Sequence, residues 1–298
     1  MPQLTAKDFH PEVLRLFDQY VHGLIPRRGF LEGASAFAVM AGASAAELLD
    51  LLSPRFAEAE QVRSDDPRVS AKRIAISSPK GSGLLRGYFA SPGSGAIGAK
   101  PPVVLVVHEN RGLNPHIEDI ARRLAAENFI AFAPDALTPL GGYPGDEDRA
   151  RELFAKLDQG QCLEDFIAAA AYLRNLAEGS GKLGAVGFCY GGRVVNTLAE
   201  LLPDLLAAVP FYGVAPDLDR VGDIRAELQL HFAGEDKRVN DTWPPYEAAL
   251  KAAGTRYEAF FYPGVQHGFN NDTTPRYDEA AAKLAWERTL DFFNRVLR

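Results

Sequence analysis

The chain has 298 residues, 47% of them hydrophobic and 24% charged, with a formal net charge of −7. Such a composition suits one large globular unit, with or without an extension. The acidic balance and the lack of a basic stripe argue against a nucleic-acid binder.

Residues 1–66 differ in kind from the rest. "PEVLRLFDQYVHGLI" (11–25) carries Val13, Leu14, Leu16, Phe17 and Val21 at helical spacing. The stretch 25–61 is similar to a twin-arginine export signal: Arg27-Arg28-Gly29-Phe30-Leu31 matches the R-R-x-F-L core, and Ala57-Glu58-Ala59 matches an A-x-A cleavage site. Against this, Asp8, Glu12 and Asp18 precede the arginines, and Glu47 and Asp50 interrupt the apolar run, so no stable membrane span is expected. The alternative is a pair of helices packed on the main domain, or on a second copy in a homo-oligomer. One reading implies a periplasmic enzyme, the other a cytoplasmic one that keeps its arm. "QVRSDDPRVS" (61–70) reads as the linker to a second unit, 67–298.

From there strands and helices alternate. "AKRIAIS" and "LLRGYFAS" predict a leading antiparallel hairpin, and "PVVLVVH" (102–108) a strand buried on both faces. A helix is expected over 117–128, a strand over 129–135, and helices in "DEDRARELFAKLD" and over 162–178. "KLGAVGF" then reads as strand, "YGGRVVNTLAELL" as helix, and 206–213 and 228–234 as strands. The pattern closes with helix 244–254, strand 256–263 and helix 277–297. This alternation predicts an α/β fold of the α/β-hydrolase kind: a mostly parallel central sheet with helices on both faces and function at the carboxyl ends of the strands.

Three chemically capable residues follow three of those strands. Cys189 lies in Gly187-Phe188-Cys189-Tyr190-Gly191, Asp236 after "LQLHFAGE", and His267 after "EAFFYPGVQ". Nucleophile, acid and histidine in that order match an α/β-hydrolase triad, with cysteine at the nucleophile elbow. The elbow glycines clear a strained turn, and the following helix aims its amino end at the sulfur. In that reading His267 takes the thiol proton and Asp236 orients the imidazole. The oxyanion hole is expected from the backbone N–H of Tyr190 and of Asn110. Trp243 and the side chains of Tyr190, Tyr212 and Phe269, near strand ends, are candidates for the pocket wall. His108 is expected to shape its loop, and His231 and Cys162 to be core residues. With six scattered histidines and two isolated cysteines, neither a metal site nor a disulfide framework nor a cofactor is expected. The other readings are an acyltransferase or peptidase on the same scaffold, or a thiol sensor, against which the lack of a nearby resolving cysteine counts.

From about residue 70 onward the chain resembles the dienelactone hydrolase (carboxymethylenebutenolidase-like) family. The resemblance rests on "VVLVVHENRGLNPHIEDIARRLA", "GFCYGG", "PFYG", "AGEDKRVN" and "YPGVQHGF". It implies hydrolysis of small esters or lactones through an acyl-thioester, with Cys189, Asp236 and His267 as triad. It further implies that Glu109 contacts and modulates the resting thiol. The dienelactone-cleaving members carry a substrate-gripping arginine shortly after the histidine. Here Asn271 stands in that region, and Arg111, Arg238 and Arg276 are the other candidates, none of them matching by position.

Overall fold

The computed structural model describes residues 4–93 and 100–298. Four helices come first: α1 (Pro11–Val21), α2 (Arg27–Met40), α3 (Ala45–Leu52) and the short α4 (Phe56–Ala59). The His10 side chain caps α1 and Pro11 occupies its first turn, while Ser44 and Glu47 form a capping box on α3. The apolar faces of these helices meet one another, so Phe17, Phe30, Ala34 and Leu52 belong to a hydrophobic cluster of their own. Among the described residues no single helix is long and apolar enough to cross a membrane.

Polar contacts tie this arm to the rest of the chain. Tyr20 hydrogen-bonds Asp148, Arg27 pairs with the same carboxylate at 2.7 Å, and the Arg151 guanidinium lies 3.9 Å from the centre of the Tyr20 ring. Further along, the Arg55 N–H donates to the Thr273 carbonyl at 2.8 Å.

The remaining elements are β1 (Val69–Ser78), β2 (Gly83–Pro92), β3 (Val103–Val107), α5 (Pro115–Ala126), β4 (Ile130–Pro134), α6 (Glu147–Phe154), α7 (Gln159–Arg174) and β5 (Leu183–Phe188). They continue with α8 (Tyr190–Leu201), β6 (Leu205–Phe211), β7 (Glu227–Ala233), α9 (Lys237–Asn240), α10 (Trp243–Ala253), β8 (Tyr257–Tyr262) and α11 (Glu279–Leu297). The strands form one sheet in the order β1-β2-β4-β3-β5-β6-β7-β8. β1 and β2 form the expected antiparallel hairpin, β2 also runs antiparallel to β4, and every other neighbouring pair is parallel.

β3 explains why its sequence is a continuous apolar run. Val103, Leu105 and Val107 face one core layer with Phe166 of α7, Val195 of α8 and Leu250 of α10. Val104 and Val106 face the opposite layer, with Ile120 of α5 and Phe292 of α11. A strand covered on both faces has no solvent side to mark with polar residues. Burying each such side chain contributes roughly 1.5–3 kcal/mol. The carboxyl ends of β3, β5, β7 and β8 lead into the loops that carry the chemistry.

Candidate active site

Cys189 sits between β5 and α8 with φ 56° and ψ −110°, a left-handed conformation that a residue with a Cβ adopts only under strain. Its N–H donates to the Phe211 carbonyl at 3.0 Å, and its carbonyl accepts from the Arg193 N–H at 3.2 Å, which pins the turn from both sides. A Cβ on Gly187 would collide with the Gly191 carbonyl, and one on Gly191 with the Val107 carbonyl. The tight turn leaves Cys189 half-buried at the amino end of α8.

Asp236 caps α9, accepting from the Val239 N–H, and its other carboxylate oxygen accepts from His267 Nδ1 at 2.5 Å. That bond places the ring proton on Nδ1 and leaves Nε2, which is buried and makes no hydrogen bond of its own, as the basic atom. A ring nitrogen of His267 and the sulfur of Cys189 lie within 4.8 Å of each other. The three residues singled out at three strand ends are therefore brought together.

A fourth residue joins them. His22, the residue that ends α1, reaches over the thiol with Nε2 3.6 Å from Sγ, and its ring stands edge-on to that of His267 with centroids 4.8 Å apart. Its Nδ1 donates to the Asp18 carbonyl at 2.7 Å and lies 3.2 Å from the Asp18 carboxylate. Sequence reasoning missed His22; the one available signal was a carboxylate and an imidazole four positions apart on a helix that ends in glycine. A thiol and two imidazoles at this spacing suit a soft divalent ion as well as proton transfer. The partners already in place, a carboxylate behind each ring and the thiol between them, are those of a proton-transfer set.

The electrostatics follow from this arrangement. Burial opposes charge on the Cys189 thiol, but His267 and His22 outweigh it and lower its pKa to about 5. Burial also opposes charge on His267, yet the adjacent thiolate and Asp236 raise its pKa to about 10. The favoured resting state is a thiolate beside an imidazolium.

A cavity of about 380 Å³ opens above the sulfur. Phe17, Tyr20 and His22 of the arm form one side, and Glu109, Asn271 and Arg276 contribute to the other. The expected aromatic wall is corrected, since Tyr190, Tyr212, Trp243 and Phe269 are absent from this lining. Phe269 is fully buried in the core, and Trp243 packs on Phe232, Tyr246 and Phe261 beneath α10. Tyr212 is buried with its ring 4.9 Å from that of His267, where it supports the imidazole from below. The Tyr190 ring packs between His108 and Phe154, while its backbone N–H belongs to the unpaired first turn of α8.

The loop after β3 takes a role that the sequence did not suggest. Asn110 Nδ2 donates to the Val21 carbonyl at 2.8 Å, and Arg111 donates to the same carbonyl at 3.2 Å. Arg111 also lies 3.7 Å from Glu147, so its charge is engaged within the protein. Glu109 accepts from Asn271 Nδ2 at 2.9 Å, and the hydrogen-bonding partner of the thiol is His22 rather than this glutamate. His108 holds the loop, with one ring nitrogen on the Glu109 carbonyl and the other accepting from the Ala136 N–H at 3.1 Å. His231 is buried between Tyr262 and Gln229, and burial raises the pKa of Cys162 to about 12, so both are core residues as expected.

A family model described as "Dienelactone hydrolase family" matches residues 85–297. The chain belongs to the dienelactone hydrolase family. As a member it is a carboxylic ester hydrolase of α/β-hydrolase fold. A second model, described as "YqhI-like", matches residues 1–39 and so covers α1 and most of α2. A Salmonella typhi protein named "Putative carboxymethylenebutenolidase" is 33% identical over 249 residues, covering 78% of this chain and 90% of its own length. The Escherichia coli K12 protein named "Putative hydrolase fragment YghX" is 50% identical over 115 residues, which is 39% of this chain and 97% of that one. A Klebsiella pneumoniae crystal structure described as "Putative Dienelactone Hydrolase" superposes with a TM-score of 0.66 at 30% identity, covering 76% of this chain and 99% of that one.

Proposed function

We propose that this dienelactone hydrolase relative cleaves small esters or lactones through a covalent acyl-thioester on Cys189. The observation that carries the reading is the Asp236–His267 hydrogen bond set beside a half-buried Cys189 on a strained elbow. The thiolate attacks the substrate carbonyl, forming the C–S bond and moving the carbonyl electron pair onto oxygen. The N–H of Tyr190 and the backbone of Asn110 receive that oxyanion. Collapse breaks the bond to the alkoxide, which takes its proton from the His267 imidazolium. Water then gives a proton to His267 Nε2 and attacks the thioester, and the carboxylic acid leaves as the thiolate re-forms.

The cavity's cations bear on what the substrate can carry. Arg27 is paired with Asp148, Arg111 is bound to the Val21 carbonyl and faces Glu147, and Arg276 faces Asp18 at 3.7 Å. Arg27 and Arg111 are thereby engaged, whereas Arg276 Nε and Nη1 make no hydrogen bond, which leaves Arg276 as the lining cation with donors to offer a polar or anionic substrate group. We further read residues 67–298 as the catalytic unit and 1–66 as a retained arm, because the arm's helices have their own core and seat on the catalytic unit. A mass measurement on protein from its native host tests retention: loss of residues 1–59 would identify the segment as an export signal instead.

Replacing Cys189 with Ala tests the nucleophile. Hydrolysis of p-nitrophenyl acetate and of a panel of lactones is expected to disappear. Wild-type protein quenched during turnover should gain the mass of one acyl group on the peptide containing Cys189. Full activity in the alanine variant would remove the assignment.

A further inference from the structure

We propose that His22 is a further catalytic residue, a second imidazole delivered by the N-terminal arm, which holds the Cys189 thiolate together with His267. The proposal deepens the cysteine-nucleophile reading and rests on it.

The geometry is that of two carboxylate-backed imidazoles converging on one sulfur. Asp236 stands behind His267, and Asp18 stands behind His22. The Asp18 carbonyl can only accept, so the neutral His22 ring carries its proton on Nδ1 and turns the lone pair of Nε2 toward Sγ. Protonated there from solvent, the ring sets an Nε2–H against the thiolate across 3.6 Å while its Nδ1–H remains on Asp18.

The arm is built to deliver this ring. The Val21 carbonyl, one residue before His22, is gripped by both Asn110 and Arg111. Asp18 is faced by Arg276, whose guanidinium also lies 5.2 Å from the centre of the Phe17 ring. The groups around His22 are Asp18 on its own helix, Cys189 after β5, His267 after β8, Arg276 before α11 and Arg238 on α9. Arg238 donates to Nε2 at 3.1 Å from the exposed side, so it competes with protonation of the ring and must swing toward solvent when the imidazolium forms. Despite burial and the neighbouring His267, Asp18 and the thiolate hold the pKa of His22 above its ordinary value.

This division of labour has a chemical use. His267 gives its proton to the leaving alkoxide and takes one from the deacylating water, while His22 keeps a second charge beside the sulfur to meet the thiolate as it re-forms.

The test compares full-length wild type with His22→Gln and Asp18→Asn, with folding checked by circular dichroism. The pH dependence of iodoacetamide alkylation and of thiolate absorbance at 240 nm is read alongside kcat and KM. In His22→Gln the alkylation midpoint should move up by about one pH unit or more, making alkylation on the acidic limb about ten-fold slower. kcat should fall with little change in KM, and activity should recover partly at higher pH. Asp18→Asn should shift the midpoint the same way by less, and it remains informative if His22→Gln folds poorly. Imidazole added to His22→Gly should restore part of kcat. An unmoved midpoint with unmoved kcat would overturn the proposal, as would faster turnover in His22→Gln, which would make the ring a plug over the thiol. Failure of the underlying reading is distinguishable, because it shows as activity retained in Cys189→Ala whatever His22 does.

Discussion

Asn271 donates a hydrogen bond to Glu109 at 2.9 Å, joining the segment that follows His267 to the loop after β3. The link runs along the floor of the site beneath the arm and keeps a carboxylate oriented by a neutral amide. Asn271→Asp would set two carboxylates against each other where Asn271 is only 3% exposed. We expect a stability loss of about 1–3 kcal/mol and reduced kcat/KM, both largest at neutral pH and smaller near pH 4, where one carboxyl is protonated. Thermal melts at the two pH values check this.

The acid and base limbs of activity should report the thiol and His267. With the thiol near 5 and the imidazole near 10, the thiolate–imidazolium pair persists between those values. Below pH 5 the nucleophile is protonated, and above pH 10 the acid that serves the leaving group is lost. The thiolate raises His267 most and Asp236 adds to it, so Asp236→Asn should move the basic limb down while the thiolate still holds it above the ordinary histidine value. kcat should fall by roughly 10²–10⁴-fold. A full pH profile of kcat/KM for both proteins is the measurement.

Gly191→Ala should damage the fold before the chemistry. The added methyl would meet the Val107 carbonyl, which belongs to a central strand and has no room to retreat. A loss of about 1–3 kcal/mol in denaturant titrations is expected, with low soluble yield.

Tyr20 carries much of the arm's attachment, through Asp148 and the guanidinium of Arg151. Tyr20→Ala should cost about 3 kcal/mol and fall on the arm rather than on the sheet. Limited proteolysis should then cut within the first sixty residues while the remainder persists, and neutral-pH activity should drop as His22 is withdrawn.

Much of this was legible in the sequence for identifiable reasons. The run Val103–Val107 could only be a strand covered on both faces, and the glycines around Cys189 could only mean a tight turn. Cys189 follows its strand directly and Asp236 and His267 lie in the loops that leave theirs, so strand order was enough to bring them together. The pocket wall was not legible from proximity to strand ends, because that criterion cannot say which way a side chain points. Phe269 and Tyr212 turn into the core, and the aromatic surface over the sulfur comes instead from Phe17 and Tyr20. His22 left almost no local trace. Its thiol partner is 167 positions away, and only the folded chain brings the two within reach.

The arm's place over the sulfur bears on how the protein is made. His22 leaves the ribosome well before His267 and Arg276, which complete its surroundings. During synthesis the early helices can form their own small core and wait, but the partners of His22 that follow β8 do not yet exist. The reactive centre is therefore assembled only after His267 and Arg276 have emerged, and a chain made only as far as β7 carries no finished nucleophile.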